Sequence, residues 1–438
     1  MRHVLAPSLL LAAMIPAGAQ GQDGFTLDGS IRARVEGIDG QFRPATDDTA
    51  ALLLRTFVAG EYRHGAFRIG GELEDARVYF ERRHSSVSTT EVNAIEPVQA
   101  YVGADLGGGA AVQAGRFTMD LGSRRLISRQ SFRNTTNAFT GARFDWRPAK
   151  GDGVTAFWTM PQNRLPDDRD GILSNAVAVD RETSALQFFG GEARKAQAIG
   201  AASAELYLFR LAERDDRDFL TRNRRLWTIG GRIVEAPHAG AFDVEVEGAW
   251  QGGTTRATAT ASDRTDLPVS AYLIHARVGR TFRGPWSPRL SFAYDLASGD
   301  GGGRHYTRFD TLFGARTFDF GPTSFYGPVG RANLSSPEAR LEVTPDKRWD
   351  GYFAVRPLWL ASASDGFAST GVRDATGAAG RYAGTQIDAR ARYWLVPNRL
   401  RLASGVALLA KSRLLRDAPN APATGDTHYG FTEITYSF

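Results

Sequence analysis

Cysteine is absent from this chain of 438 residues, which excludes disulfide bonds, thiol nucleophiles and thiolate metal sites. Long apolar runs are missing as well, since no window offers the 18 or more uninterrupted apolar residues that a membrane-spanning helix requires. Lysine is scarce: only Lys150, Lys195, Lys347 and Lys411 occur among the 53 basic residues. Arginine therefore carries nearly all of the positive charge, and it can offer a carboxylate two parallel hydrogen bonds.

Histidine, the usual catalytic base, is also sparse, with seven residues in the whole sequence. Only His275 falls in the middle of a predicted strand, and the pattern places no serine or aspartate beside it for a triad. Metal-binding spacings such as H-x-x-x-H and H-E-x-x-H are missing. We therefore expect no catalytic residues, no metal site, no cofactor and no nucleic-acid partner.

The amino terminus has the features of a secretory signal. Arg2 and His3 supply a basic end, an apolar stretch follows over Val4–Ile15, and Ala17-Gly18-Ala19 forms an A-x-A cleavage site. We expect residues 1–19 to be a signal peptide and residues 20–438 to form one exported domain. The first predicted strand begins so soon after Gln20 that no plug domain is expected ahead of it.

Period-two alternation recurs along the exported part and predicts strands with two different faces. In the first strand, Phe25, Leu27 and Ile31 alternate with charged residues such as Arg32 and Arg34. A soluble sandwich also alternates, with a core on one side and water on the other. The lengths of the strands and of their connections favour a different fold.

About 18 runs of roughly ten residues are present, the length that tilted strands need to cross a bilayer. Short turns and long connections alternate between them, as in outer-membrane barrels with tight periplasmic turns and long extracellular loops. We predict an all-β, antiparallel, up-and-down transmembrane barrel of about 18 strands in the outer membrane of a Gram-negative bacterium. Residues 298–343 leave open a nineteenth strand. Bacterial outer-membrane barrels have an even number of strands, which disfavours a count of 19. The predicted strands begin near residues 25, 52, 66, 96, 110, 138, 153, 184, 202, 224, 242, 270, 289, 335, 349, 385, 400 and 428.

The carboxyl-terminal run "HYGFTEITYSF" is predicted to be the closing strand. Phe438, Tyr436 and Ile434 share one register, which we assign to the lipid face, and this ending resembles the signal read by the barrel assembly machinery. Glu433 lies in the other register, so we expect it to face the lumen beside the charged row of the first strand.

The inward rows combine both signs of charge, so the lumen is predicted to be polar. Neighbouring opposite charges would neutralise each other as a structural network, whereas an excess of guanidinium groups would select anions. The candidate lumen arginines taken from these rows include Arg32, Arg34, Arg55, Arg143, Arg390 and Arg392.

Three stretches carry a resemblance to a known family. They are "QAGRFTMDLGSRRLISRQSFRNTTNAFTGARFDW" (Gln113–Trp146), "LSFAYDLASGD" (Leu290–Asp300) and "ANLSSPEARLEV" (Ala332–Val343), and they resemble the alginate export family of outer-membrane proteins.

The resemblance implies a positively charged constriction for an anionic polyuronate, gated by a long loop and a periplasmic turn. On matching positions it implies that Arg116 and Arg143 line the constriction, with Asn134 and Asp145 beside them. Arg124, Arg125 and Arg129 lie in the intervening loop, which would fold inward. The longest turn predicted on the periplasmic side, residues 194–201, is too short for the family's gate.

The leading functional hypothesis is passive diffusion of an anionic saccharide or another small carboxylate through an arginine-lined lumen, in either direction. A general or hydrophobic-solute uptake porin is the alternative if the lumen arginines are neutralised by acids. A structural or adhesive barrel with a closed lumen is a third possibility, of another class. All three share the outer-membrane lipid as a partner.

Overall fold

A computed structural model describes residues 23–217 and 219–438. The predicted signal peptide, residues 1–19, lies outside the described residues, so it stays a prediction. None of the helices within the described ranges combines the length and the apolar character of a membrane span.

The described residues form one antiparallel sheet of 18 strands, in which each strand pairs with its neighbours in sequence and β1 pairs with β18 to close a barrel. Each predicted strand begins within three residues of an observed one, and the count of 18 is confirmed. The strands are β1 (Gly24–Asp39), β2 (Thr49–His64), β3 (Phe67–Tyr79), β4 (Asn93–Gly107), β5 (Ala110–Phe117), β6 (Phe139–Trp146), β7 (Gly153–Pro161), β8 (Leu186–Ile199), β9 (Ala202–Glu213), β10 (Arg225–Glu235), β11 (Phe242–Thr255), β12 (Leu267–Thr281), β13 (Arg289–Ala297), β14 (Leu334–Val343), β15 (Trp349–Trp359), β16 (Tyr382–Val396), β17 (Leu400–Lys411) and β18 (Thr427–Ser437).

In the described part of the chain, three short helices lie in the long connections: α1 (Arg169–Leu173), α2 (Thr317–Phe320) and α3 (Arg413–Asp417). All long connections emerge at one end of the barrel and all short ones at the other, because the strands alternate in direction. The longest of the long ones are residues 118–138, 162–185, 298–333 and 360–381. The segment 323–333, which left a nineteenth strand open, contains no strand.

The turn predicted over residues 194–201 is wrong, because β8 continues to Ile199 and only residues 200–201 connect it to β9. Arg194 pairs with Glu205 and Lys195 with Ala204 in the ladder, and a bulge follows before Ile199. The end of β8 lacks clear alternation, so its hydrogen bonds to β9, rather than its own pattern, make it a strand. The longest short connection is residues 282–288.

The two faces of the strands divide as the alternation predicted. In β1, Phe25 and Ile31 are exposed on the outer face, whereas Arg32, Arg34 and Glu36 are buried in the lumen. Aromatic side chains are exposed near both ends of the outer face, for example Trp349 at the short-turn end and Trp227 at the long-loop end. This arrangement is the apolar band with aromatic girdles that a lipid bilayer requires.

The seam between β1 and β18 confirms the expected position of Glu433. Arg34 lies opposite Glu433 in the ladder, and its Nε and Nη2 donate to Glu433 Oε2 at 2.9 and 2.6 Å. Just beyond β18, Phe438 exchanges two backbone hydrogen bonds with Gly29, at 3.0 and 3.1 Å. The ring of Phe438 also covers Gly29, where an added Cβ would come within 2.3 Å of it.

We expect deletion of Phe438 to reduce the folded fraction of the protein in the outer membrane severalfold. The deletion removes the two backbone hydrogen bonds to Gly29 and the aromatic ring that covers Gly29. It also removes the last residue of the proposed assembly signal. Heat-modifiable migration of outer-membrane fractions measures the folded share. Phe67→Ala, which removes another exposed outer ring, is the matched control. An unchanged folded share after the deletion would contradict this account.

Candidate functional site: a basic cavity between two inner loops

Two long connections fold into the lumen instead of extending away from the barrel. We call residues 118–138, between β5 and β6, the first inner loop, and residues 298–333, between β13 and β14, the second inner loop. They meet where Phe313 N–H donates to Leu126 O at 3.0 Å and Ser128 N–H donates to Phe313 O at 3.1 Å. The lumen at this level is therefore shaped by loop residues as well as by strands.

Arginines of β1 and β2 hold the first inner loop in place. Arg32 donates to the carbonyl oxygens of Ser131 and Arg133, both at 3.1 Å, and to Asn134 Oδ1 at 2.9 Å. Arg55 donates to the Arg133 carbonyl at 3.3 Å. Backbone carbonyls that leave water need such donors, because an unpaired buried carbonyl is costly. These strand arginines thus serve as anchors for the loop.

Asn134 completes the anchoring of the first inner loop from the other side. Its side chain is buried, and Nδ2 donates to the carbonyl oxygens of Leu54 and Glu91, each at 2.9 Å. Arg34 reaches the same loop, because its Nη1 donates to the Phe132 carbonyl at 2.8 Å. The predicted residues Arg32, Arg34, Arg55 and Asn134 are therefore brought together at one place.

Asp319, in α2, joins the two inner loops to the barrel wall. Arg125 Nε donates to its Oδ2 at 2.9 Å, Arg277 of β12 donates to Oδ1 at 2.9 Å, and Arg331 also binds the carboxylate. Burial alone would raise the pKa of Asp319, but the guanidinium groups of Arg125 and Arg331 hold that pKa well below its usual value. The carboxylate is thus an ionised hub for three arginines.

A cavity of about 550 Å³ lies between the inner loops and the long-loop ends of β10 to β12. Its walls mix apolar and polar groups, including Leu226, Val269 and Phe309 on the apolar side. This volume lies within the range of sites for small organic ligands. The arginines that line the cavity are Arg133, Arg164, Arg222, Arg224, Arg308 and Arg316.

Two of these six arginines are neutralised by carboxylates. Arg224 binds Glu213 at 2.7 Å and Asp310 at 2.8 Å, and Arg308 binds Asp365 at 2.6 Å. Such pairs leave little net charge for a passing anion. Arg224 and Arg308 therefore act as structural parts of the cavity wall rather than as anion-binding groups.

The other four, Arg133, Arg164, Arg222 and Arg316, have no carboxylate within 4.0 Å in the part of the chain that the structure describes; we call them the free arginine cluster. Their hydrogen bonds go to neutral groups: Arg164 donates to Asn137 Oδ1 at 2.7 Å, and Arg316 donates to Ser369 Oγ at 2.6 Å. Arg222 donates to the Tyr306 hydroxyl at 3.1 Å and places its guanidinium over that ring.

Two members of the free arginine cluster, Arg133 and Arg316, are repelled by neighbouring arginines. Burial, followed by the charges of Arg133 and Arg43, lowers the pKa of Arg316 to about 9. Burial and Arg164 lower the pKa of Arg133 to about 10. Both groups remain charged at neutral pH. Glu91 acts on both, and Asp180 acts on Arg164, only from beyond 4.0 Å, so a bound anion would be their first direct counter-charge.

The remaining predicted residues lie in ion pairs. Arg116 binds Glu96 at 2.5 Å and Glu182 at 2.9 Å, so its charge is shared between two acids. Arg143 and Asp145 bind each other at 2.7 Å within β6. On the opposite wall, Arg390 and Arg392 share Asp350, at 3.6 and 2.8 Å. None of these arginines lines the cavity.

The four residues of the free arginine cluster were not among the candidates from the sequence. They lie in or beside long connections, where no periodicity shows which way a side chain points. One signal was available for Arg133: between Asp120 and Asp145 the sequence contains several arginines and no acid. This signal identifies the segment but not the residue, because Arg125 and Arg129 of the same segment are paired with Asp319 and Glu72 from other parts of the chain.

No group of three or more histidine, aspartate or glutamate ligands is close enough to hold a metal ion within residues 23–217 and 219–438. The arrangement offers guanidinium donors beside apolar surface, which suits binding of a carboxylate or another anion.

Comparisons with known proteins agree with a barrel channel. The model of the family described as alginate export matches residues 25–424. Solved structures with the same fold include OccAB4 of Acinetobacter baumannii (TM-score 0.63, 10% identity, 95% of this chain and 99% of that chain). OpdK of Pseudomonas aeruginosa, solved with vanillate, has a TM-score of 0.57 at 12% identity, over 95% of this chain and 100% of that chain. OccK2 (OpdF) of Pseudomonas aeruginosa, solved in complex with glucuronate, has a TM-score of 0.56 at 12% identity, over 94% and 98%. No curated protein matches the sequence significantly.

Proposed function

Because the chain belongs to the alginate export family of outer-membrane barrels, we propose that it passes small carboxylates or anionic saccharides by passive diffusion, with the free arginine cluster as its anion filter. The chain is an outer-membrane channel for anionic solutes and not an enzyme. The observation that supports the filter is the set of four cavity arginines that lie beyond 4.0 Å of every carboxylate in the described ranges. An anion entering this cavity would gain charge-assisted hydrogen bonds without displacing an acid of the protein.

The size of the cavity supports small solutes. A cavity of about 550 Å³ has the size of a single uronic acid or aromatic acid, and it is too small to enclose a long polysaccharide. Apolar residues such as Val269 and Phe309 would contact the body of the solute while the guanidinium groups bind its carboxylate. OccK2 (OpdF) with glucuronate and OpdK with vanillate carry solutes of these two kinds within the same fold.

A general porin is the second candidate, and the ion pairs of the lumen favour it. Arg116, Arg143 and Arg392 all bind carboxylates, which leaves little net charge on the strands themselves. The two candidates differ in the charge at the cavity. A third, a closed structural barrel, differs from both because it would conduct no ions.

Planar bilayers under a salt gradient test this function. We expect a reversal potential of the sign that indicates anion preference, and a chloride current that glucuronate reduces in a concentration-dependent way while glucose does not. Cation preference, or equal effects of glucuronate and glucose, would count against the anion filter. Absence of any conductance would favour the closed barrel.

The anion preference should rise as the pH falls from about 7.5 to about 5. Asp180 accepts the N–H of Leu165, the residue after Arg164, at 2.9 Å, and burial raises the pKa of Asp180 to about 6. This pKa lies above the ordinary value of a free aspartate, so the connection over residues 162–185 binds the proton more tightly in its folded position and is stabilised there as the pH falls through 6. Protonation also removes a negative charge next to Arg164.

Reversal potentials measured across this pH range check the expectation. Asp180→Asn should give the low-pH preference at every pH, because its side chain is neutral throughout. Asp216→Asn, which changes an aspartate of another long connection outside the cavity, is the matched control and should titrate like the unmodified protein. A pH dependence that survives Asp180→Asn would assign the titration to another group.

A further inference from the structure

Two arginines stand on the outer, lipid-facing surface at the long-loop end of β9 and β10. Arg210 follows the exposed residues Leu206 and Leu208 in the outward row of β9. Arg225 begins β10 and is followed in its outward row by Trp227 and Ile229, both exposed. Each apolar row therefore carries an arginine near its end, at the level of the outer membrane interface.

Neither arginine is neutralised by the protein. Within residues 23–217 and 219–438, Arg210 and Arg225 have no carboxylate within 4.0 Å, and their side chains make no hydrogen bond. Elsewhere on the same outer rim the charge is compensated, since Arg77 Nε binds Asp75 at 3.0 Å. Two adjacent cations that lack a counter-charge among the described residues attract an anion from outside the protein.

The register places the two guanidinium groups around one spot. Arg210 pairs directly with Trp227 across the strands, and Arg225 precedes Trp227 by two residues on the same face. Diagonal neighbours in an antiparallel pair lie about 7–8 Å apart, within reach of long side chains. One phosphate group can therefore receive hydrogen bonds from both arginines at once.

Aromatic rings complete this surface. The Arg210 guanidinium lies 5.0 Å from the centroid of the Trp227 ring, and Phe189 packs edge-on against that ring at 6.3 Å. The indole limits the positions that Arg210 can adopt, which lowers the entropy lost when an anion binds. The rings also offer an apolar surface to the acyl chains directly below a headgroup.

We propose that Arg210, Arg225 and Trp227 form a binding site for the phosphate of a phosphorylated glycolipid in the outer leaflet. The position favours a lipid over a free anion, because the site faces the bilayer and its apolar rows continue toward the membrane centre. Basic residues at membrane interfaces recognise anionic headgroups in this way. The site is separate from the lumen, so it is independent of the anion filter.

Native mass spectrometry of the detergent-purified barrel tests the site with three probes: bis-phosphorylated lipid A, its fully dephosphorylated form, and inorganic phosphate. We expect bis-phosphorylated lipid A to remain bound and the dephosphorylated form to be lost. Arg210→Gln with Arg225→Gln should bind the phosphorylated lipid at least about tenfold more weakly, since two charge-assisted contacts disappear. Arg210→Lys with Arg225→Lys should keep part of the binding.

Arg280→Gln is the matched control, because Arg280 is also exposed on the outer face, beside Phe242 and Phe282, but at the short-turn end. It should bind like the unmodified protein. Heat-modifiable migration shows whether each variant is folded. If the double glutamine variant does not fold, the double lysine variant still tests the site, because it keeps the charge and loses only the paired hydrogen bonds of the guanidinium groups. Equal lipid binding by the glutamine pair, or equal retention of the dephosphorylated lipid, would overturn the proposal. Complete displacement of the lipid by millimolar inorganic phosphate would assign the site to free anions. That result would also overturn the proposal that the site binds a lipid.

Discussion

Replacing Arg133 and Arg316 together by glutamine should lower the ratio of anion to cation permeability by about tenfold. Together the two guanidinium groups stabilise an anion in the cavity by on the order of 1.4 kcal/mol, about 0.7 kcal/mol each at a water-like dielectric constant of about 80 and a separation of about 6 Å, which is a factor of about ten in anion entry. Both side chains line the cavity and neither has a carboxylate partner within the described residues. Glutamine keeps polar donors of similar reach, so the change is mainly one of charge.

Reversal potentials under a salt gradient measure this loss. Arg116→Gln with Arg143→Gln is the control, because it removes the same number of charges from arginines that are paired with Glu96 and Asp145. We expect that control to change the preference less. An effect of the control pair equal to or larger than that of the cavity pair would return the filter to the strand positions implied by the family resemblance.

Asp319→Asn should release the inner loops from the barrel wall and raise the single-channel conductance severalfold. The carboxylate is buried and binds Arg125, Arg277 and Arg331, so the substitution leaves three guanidinium groups with one fewer counter-charge. Removing one partner of a buried ion pair typically costs about 3–5 kcal/mol. The cost acts on loop docking, because the backbone ladder of the strands does not involve this side chain.

Conductance histograms and limited proteolysis together test the role of Asp319. Cleavage within residues 298–333 should become faster while heat-modifiable migration of the barrel is retained. Asp417→Asn provides the control, because that aspartate is exposed and its contact with Arg413, at 4.0 Å, is at the limit of an ion pair. Unchanged conductance and unchanged proteolysis in Asp319→Asn would show that other contacts hold the loops.

The strands were predictable because the alternation of apolar and polar residues shows on which face of the strand each residue lies. Residues i and i+2 share a face, so the row of Phe25, Leu27 and Ile31 identifies the lipid side of β1 without knowledge of any partner. The position of Glu433 in the lumen, beside the charged row of the first strand, followed from the same rule, and the structure shows that Arg34 is the residue it contacts. The end of β8 was missed because its ladder with β9, rather than its own alternation, makes it a strand.

The filter could not be located in this way. Arg116 and Arg143 have the residue type and the register expected of a selectivity surface, but whether an arginine is neutralised depends on which acids reach it in space. Glu182, which binds Arg116, lies in a connection far along the chain. Arg133 and Arg316 come from different inner loops, and no local pattern predicts that they share a cavity.

The sequence by itself determined the class of the barrel, the number of its strands, the division into lipid and lumen faces and the abundance of arginine, because alternation and composition are local properties. Only the tertiary structure decided that Arg32 and Arg55 anchor an inner loop, that Asp319 joins two loops, and that four arginines keep uncompensated charge around a cavity. The physical reason is that loop docking and charge neutralisation depend on distances of a few ångströms between residues that are separated in the sequence, such as Arg125 and Asp319, 194 positions apart.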